Sequence, residues 1–540
     1  MMTRTALLTA SGLATLLALA ACGGGRDSEE EGLVTLHRGN TAEPISLDPH
    51  KASGVWENTI IGDMFIGLFT ENPAGEPTPG MAESWTVSED GLIWRFVLRG
   101  ATWSDGAPVT ADDFEFSFKR ILNPETIAEY ASLLYLIENA EDVNNGALPV
   151  DALGVTAVDE RTLEIRLEHP APYLPGLLTH YTSFAIPAHV VREHGDAWVR
   201  PENIEVNGPY KVMEWRTNDF VHARKNDTFY DAANVCIDEV YYYPTTDNNT
   251  AERRVRNGEL DLNTDFPGTR VEFFQERIPD YVHMHPYLMT SYLSFNTEVE
   301  PFDDIRVRTA LSMAIDRDFI VSEVLKDGRA IADSLVPDGV ANYPGDPAIP
   351  WINQPIEQRR AEARRLLEAA GFGPDNPLRF EYTHRNTRDN PRIAPVLQSD
   401  WRQIAPWVDV DIAGIEAQIH YANLRAKNFQ VADGGWVADY NDAQNFLFLF
   451  ETSAGPMNYP GWSNAEYDGL VEESSSILDL NERADVMMQA EQIFLDAAAI
   501  APLWHEANKN LVNPRVTGWV DNIVDIHRTR YLCIADPEEE

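Results

Sequence analysis

Short runs of alternating hydrophobic and polar residues, separated by helical stripes, occupy most of this chain. Trp94, Phe96 and Leu98 are interleaved with Arg95, Val97 and Arg99 just after Asp90-Gly91, and Leu163, Ile165 and Leu167 with Glu164, Arg166 and Glu168. A period of two puts one set on each face of a strand, so both runs are predicted strands with one buried face. Tyr241-Tyr242-Tyr243 stops at Pro244, which has no amide hydrogen to continue a ladder, and reads as a third strand. Val307, Ala310, Leu311, Ala314 and Ile315 instead recur at i, i+3, i+4, i+7 and i+8, one face of a helix, with Asp303 or Asp304 placed to cap it. Ala363, Leu366, Leu367 and Ala370 make a second stripe, ended by Gly371 in the C-cap region. Strands and helices interleaved on this scale predict an α/β class.

One stretch breaks the pattern. After Met1-Met2-Thr3-Arg4-Thr5 comes an apolar run over residues 6–21, closing on Leu19-Ala20-Ala21-Cys22. A basic start, a short apolar core and small residues before a cut site predict a secretory signal peptide over residues 1–21. The run is shorter than the roughly 20 apolar residues of a membrane span. Leu-Ala-Ala-Cys resembles the bacterial lipobox, so Cys22 is the expected lipidation site and the protein is expected outside the cytoplasm on a lipid anchor. Gly23-Gly24-Gly25 and the acidic residues up to Glu31 predict a flexible tether over residues 22–32. The roughly 510 residues that follow exceed one core's usual size, so two or more lobes are expected. No long Pro/Gly/Ser linker divides them, which predicts a chain that crosses between lobes more than once.

Charge narrows the partners. The 540 residues carry a net charge of −44, and loss of residues 1–21 removes one Arg and no acid, giving about −45. Such a surface repels phosphate backbones and anionic lipid, so no nucleic-acid partner is expected, and anionic ligands are the harder ones to attract. With 44% hydrophobic residues, the acidity coats an ordinary globular chain rather than a disordered one. Apart from Cys22, only Cys236 and Cys533 remain, open to one disulfide or to a buried thiol pair. His283-Met284-His285 puts two imidazoles on one side of a strand, but no third ligand follows at a recognisable spacing, so neither metal nor cofactor is expected. His505-Glu506 lacks the second histidine of a zinc-protease helix, and GxSxG, GxxxxGK and GxGxxG motifs are absent. Asp112-Asp113 and Asp303-Asp304 suit helix starts better than acid–base pairs. No enzyme is expected.

Five stretches, taken together, carry a resemblance. They are Ser46-Leu47-Asp48-Pro49-His50, Trp103-Ser104-Asp105-Gly106-Ala107-Pro108-Val109-Thr110, Asn207-Gly208-Pro209-Tyr210-Lys211, the run from Pro301-Phe302-Asp303 to Thr309-Ala310-Leu311, and Gly435-Trp436-Val437-Ala438-Asp439-Tyr440-Asn441. In this order and approximate spacing the chain resembles the oligopeptide-binding proteins of bacterial ABC importers, from about residue 33 to its end. The resemblance implies a two-lobed, hinged periplasmic-binding-protein fold with an inserted third subdomain. Residues 33–65, 189–288 and 509–540 would form lobe I, 66–188 the inserted subdomain and 289–508 lobe II, with crossings near 286–296 and 503–512. It further implies a short peptide as ligand, an ABC permease in the cytoplasmic membrane as partner, a monomeric protein, and a place in the periplasm or on the cell-envelope exterior.

Residue by residue, Asp439 matches the family's anchor for the peptide α-ammonium group, and Trp436 and Tyr130 match aromatic positions lining its cleft. Ser291-Tyr292-Leu293-Ser294-Phe295-Asn296 resembles the segment that lies along the bound peptide. Two departures matter. Met289 and Val437 stand where relatives carry a disulfide, and Asp433 stands where they carry an arginine for the peptide carboxylate. Arg388, Arg392, Arg425 and Lys427 are possible substitutes, though each also suits a solvated surface. The amino end is therefore expected to be fixed and the carboxyl end held differently or left open; a ligand with cationic groups at both Asp439 and Asp433 is a further option. Dipeptides, amines, sugar-like solutes and metal chelates remain alternative ligands, and a hydrolase or sensor subunit an alternative class.

Overall fold

Two long neighbouring strands, Val282–Phe295 and Ile500–Val512, run antiparallel through the middle of an eleven-stranded mixed sheet. The computed structural model describes residues 32–387 and 389–535, so Cys22, the signal segment and nearly all of the tether lie outside the described residues. From Val34 onward the chain is one compact unit.

On one side of the long pair the sheet continues through Val431–Val437, Leu378–Arg385 and Val408–Ile415. On the other it continues through Leu262–Asn263, Thr35–Gly39, Glu239–Tyr243, Phe220–Lys225 and Tyr210–Arg216. The ladder between the long strands shifts register between Pro286 and Thr290 and again after Ser291. Pro286 has no amide hydrogen to contribute there.

A second, four-stranded antiparallel sheet holds Ala82–Val87, Ile93–Leu98, Thr162–Arg166 and Val155–Asp159. Trp94, Phe96, Leu98, Leu163 and Ile165 are buried, as their alternation requires. Glu164, on the polar side of the pattern, is buried too, because Arg95 lies directly opposite and bonds it at 2.7 Å while Arg166 holds its other oxygen at 3.0 Å. This sheet has no core of its own: Phe96, Phe114 and Ile165 join Ile60, Tyr210 and Val240 in one cluster.

The expected helices form. Asp304, not Asp303, caps Ile305–Ala314 by accepting the Arg306 amide at 2.8 Å. Val307, Ala310, Leu311 and Ala314 are buried with Phe380 and Trp401 in a second cluster. Helix Ile356–Ala369 ends before Gly371, whose φ of +95° is the left-handed conformation that favours glycine. A third cluster joins Tyr292, Phe446, Phe450, Tyr467 and Phe494. Cys236 and Cys533 are bonded to each other, with Cα atoms 5.2 Å apart, tying the last described residues back across 297 positions of sequence. Among the described residues no helix is long and apolar enough to cross a membrane.

Candidate functional site

The strand Val431–Val437 and the turn after it collect most of the predicted residues. It pairs antiparallel with Val282–Phe295 from Met289↔Val437 to Phe295↔Val431, so the two positions without the relatives' cysteines face each other directly. Gly434 is required by this packing, since a Cβ there would lie 2.8 Å from a ring carbon of Tyr292. On its other edge only Val431 and Ala432 have strand partners. The edge at residues 434–437 therefore carries no strand among the described residues.

Past that edge the chain turns at Asp439. Asn445 organises the turn: its buried side-chain oxygen accepts the Trp436 indole N–H at 2.9 Å and the Asp439 amide at 3.0 Å. Trp436 also meets the Phe448 ring edge-on, 5.9 Å between centroids. The Asp439 carboxyl is half-buried, and among the described residues no Lys, Arg or His forms an ion pair with it. Burial raises its pKa to about 7, opposed only by the Asn445 side chain. Its charge in turn is felt by Tyr130, which burial and Asp439 push up to about 12, and by Tyr181, which is pushed up strongly. Tyr130 stacks near His180 at 5.8 Å, and His180 lies 4.1 Å from Tyr181. Burial drives the His180 pKa down to about 3, so this imidazole is neutral and supplies no counter-charge. Asp439 is thus a desolvated carboxyl within electrostatic reach of tyrosines brought from a distant part of the chain.

Beside it a clamp joins the same two parts of the chain. Tyr440 stacks on Tyr173 at 5.3 Å with planes 6° apart, and Arg483 lies over Tyr173 while gripping Asp442 through two 2.8 Å bonds.

Asp433, six positions earlier, is the opposite case. Its carboxylate accepts from the Arg385 amide at 2.6 Å, Arg385 Nε at 2.7 Å, Asn390 Nδ2 at 3.0 Å and lies 3.1 Å from His420 Nε2. With Arg385 already meeting its charge, this carboxylate offers no unpaired charge to a ligand cation, which argues against a second cationic group at Asp433. The segment 291–296 also differs from expectation. Residues 290–294 have strand partners on both sides, so no edge is free for a peptide main chain. Ser291 donates to Glu506 at 3.0 Å inside a cluster built around Arg329, and Asn296 is committed to the carbonyls of Lys427 and Phe429 at 2.8 and 2.9 Å. Both side chains hold the scaffold.

Of the cations considered for a ligand carboxylate, Arg388 lies outside the described residues. Arg392 bonds Asp389 at 2.9 Å, and Lys427 pairs with Glu298. Arg425 is exposed and lines, with Lys427 and Trp462, an open recess of about 530 Å³. Arg385 was not singled out by the sequence because its partner Asp433 is 48 positions away. Tyr181 was missed for the same reason, whereas Asn445, only nine and six positions from Trp436 and Asp439, was missed because it lies just past the end of the Gly435–Asn441 motif.

The sequence profile of the bacterial extracellular solute-binding proteins, family 5 (middle region), matches residues 76–458. The periplasmic oligopeptide-binding protein OppA of Salmonella typhimurium is 36% identical over 505 residues, 91% of each chain. The probable deoxycholate-binding periplasmic protein YgiS of Escherichia coli is 34% identical over 488 residues, 89% of each. The crystal structure of Haemophilus influenzae OppA in complex with the peptide RPPGFSPFR superposes with a TM-score of 0.79 at 31% identity, covering 94% of this chain and 100% of that one.

Proposed function

The chain belongs to the family 5 bacterial extracellular solute-binding proteins, and we propose that its solute is a short peptide held by its free amino end at Asp439. One observation carries this reading: a carboxylate in an aromatic recess has no cationic partner among the described residues. An ionised group without a partner is costly to bury, and an arriving ammonium group both repays that cost and gains charge-assisted hydrogen bonds worth roughly 1.5–3 kcal/mol net. The open edge at residues 434–437 begins two positions from Asp439. A peptide main chain added there would gain backbone hydrogen bonds without regard to its sequence, with Trp436 and Tyr130 as side-chain walls.

At the other end the chain offers little. Arg385 is already neutralised by Asp433, so the ligand carboxylate is left toward solvent and peptide length is loosely restricted. In the division that the resemblance implies, Tyr130 and Tyr181 belong to the inserted subdomain 66–188 and Asp439 to lobe II, 289–508. A ligand touching both favours closure by its differential affinity for the closed state. We assign the protein to the periplasmic side of an ABC importer, held at the membrane through Cys22. Like its relatives it is a binding protein and not an enzyme.

Calorimetry on protein unfolded and refolded to strip carried-over ligand tests the assignment. Peptides of two to eight residues are titrated with free and with acetylated amino ends. Binding by the free set and its loss on acetylation is the expected result. Equal binding by both sets would remove Asp439 as anchor, and binding of amines or bile acids in place of any peptide would redirect the ligand class.

A further inference from the structure

His285 does not work with His283. His283 turns to Asp521 at 3.1 Å, whereas His285 joins two residues from near the end of the chain, Asp525 and His527. Each of His285, Asp525 and His527 offers one ligand atom, and the three atoms lie within 4.8 Å of one another. Both imidazoles are buried. His285 Nε2 and His527 Nε2 each stand 3.1 Å from Asp525 Oδ1.

Three further details point to a ligand at the centre. His285 Nδ1 lies 3.0 Å from the Pro286 carbonyl, to which it must donate, so the neutral ring aims the Nε2 lone pair at the carboxylate. That backbone contact is the usual outer-shell partner of a metal-bound imidazole. Asn510, only 1% exposed, directs its amide into the same space, 2.9 Å from Asp525 Oδ1 and 3.3 Å from His285 Nε2. Its side-chain oxygen is buried without a partner. A half-turn about the terminal bond exchanges the two amide atoms, placing an oxygen among the other donors at the same separations. Donors about 2.0–2.2 Å from a tetrahedral zinc ion lie roughly 3.3–3.6 Å from each other. The donors here stand 2.9–3.3 Å apart in four pairs, so a small outward adjustment would seat the ion. His527 is held in place from behind by Trp519, whose ring stacks on it at 3.6 Å.

We propose that His285, Asp525, His527 and Asn510 form a binding site for a zinc-class divalent cation, joining the C-terminal segment to both long strands. Two imidazoles, a carboxylate and an amide oxygen suit the borderline preference of Zn²⁺ rather than the all-oxygen shells of Mg²⁺ or Ca²⁺. With four protein donors and a buried setting the site is closed, and its role is to stiffen the junction where the long strands lose register.

The test uses tag-free protein, stripped with EDTA and offered Zn²⁺ alone, with Mg²⁺ as control. One zinc per chain surviving gel filtration, together with a rise in Tm in Zn²⁺ but not Mg²⁺, is expected. Asp525→Asn, which keeps the shape of the side chain, and His527→Gln should each weaken zinc binding at least about 100-fold, while His283→Ala leaves it unchanged. Co²⁺ on the unmutated protein gives a readout that needs no variant: strong visible bands of a four-coordinate ion are expected. No zinc retained by the unmutated protein would overturn the site and leave a proton as the occupant of the gap. One equivalent retained by both Asp525→Asn and His527→Gln, or only the weak spectrum of six-coordinate cobalt, would overturn it equally.

Discussion

Two aspartates six positions apart, one inside the strand Val431–Val437 and one just past its end, live in opposite worlds. Asp433 has a guanidinium, an amide, a backbone N–H and an imidazole around it, whereas Asp439 has one asparagine and, among the described residues, no cation paired with it. The first charge is met within the fold; the second, in the reading proposed above, awaits a ligand's ammonium group. Burial alone therefore does not distinguish a structural acid from a binding one. What distinguishes them is whether the fold supplies the counter-charge.

The comparison breaks most visibly at Asp433. Asp433→Ala leaves the half-buried Arg385 without its carboxylate, and should cost about 2–3 kcal/mol of stability in urea denaturation, with peptide affinity retained in whatever protein folds. A variant as stable as the parent would show that Asp433 is as free as Asp439.

Asp439→Asn should do the reverse. The folded pKa of about 7 lies above the ordinary 3.8, so the unliganded protein loses stability as pH rises between these values. Removing the charge should therefore stabilise the unliganded protein at pH 8 by up to about 4 kcal/mol, with the gain vanishing near pH 4. The same change should weaken binding of free-amine peptides by about 10²-fold. Stability and binding moving in opposite directions is the signature sought; both falling together would make Asp439 a structural residue.

Affinity itself should depend on pH. An ammonium group needs Asp439 ionised, so affinity should drop by up to about tenfold per unit below pH 7 and be flat from 7 to 8. A profile flat from pH 5 to 8 would mean that the carboxyl is not at the ligand. The smallest effect is at Trp436→Phe, which removes only the indole bond to Asn445 and should cost about 1 kcal/mol of affinity.

Sequence made the local elements legible and left the partnerships dark. The alternation around Trp94–Leu98, the stripe from Val307 to Ala314 and the stop at Gly371 are near-neighbour patterns, and each formed. Asp439 and Trp436 were reached through a contiguous motif. Neither burial nor counter-charge is written locally, however: Asp433 finds Arg385 only because strands 378–385 and 431–437 are neighbours in the sheet. That 290–294 has no free edge for main-chain pairing was hidden for a related reason. A run of strand-forming residues does not reveal whether one or both of its edges are taken. The histidine pair at 283 and 285 misled in the same way, since the groups that complete His285 come from positions 525 and 527.

The central strand Ile500–Val512 also has a consequence for how the molecule is made. It fills the slot between Val282–Phe295 and Leu262–Asn263, so both neighbours present unpaired edges until the last tenth of the chain emerges. Contacts of such long range are slow to form. The nascent protein thus stays unfinished for almost the whole of its synthesis. A chain cut short before residue 500 would keep those edges open and be destined for aggregation or proteolysis rather than for a smaller working form.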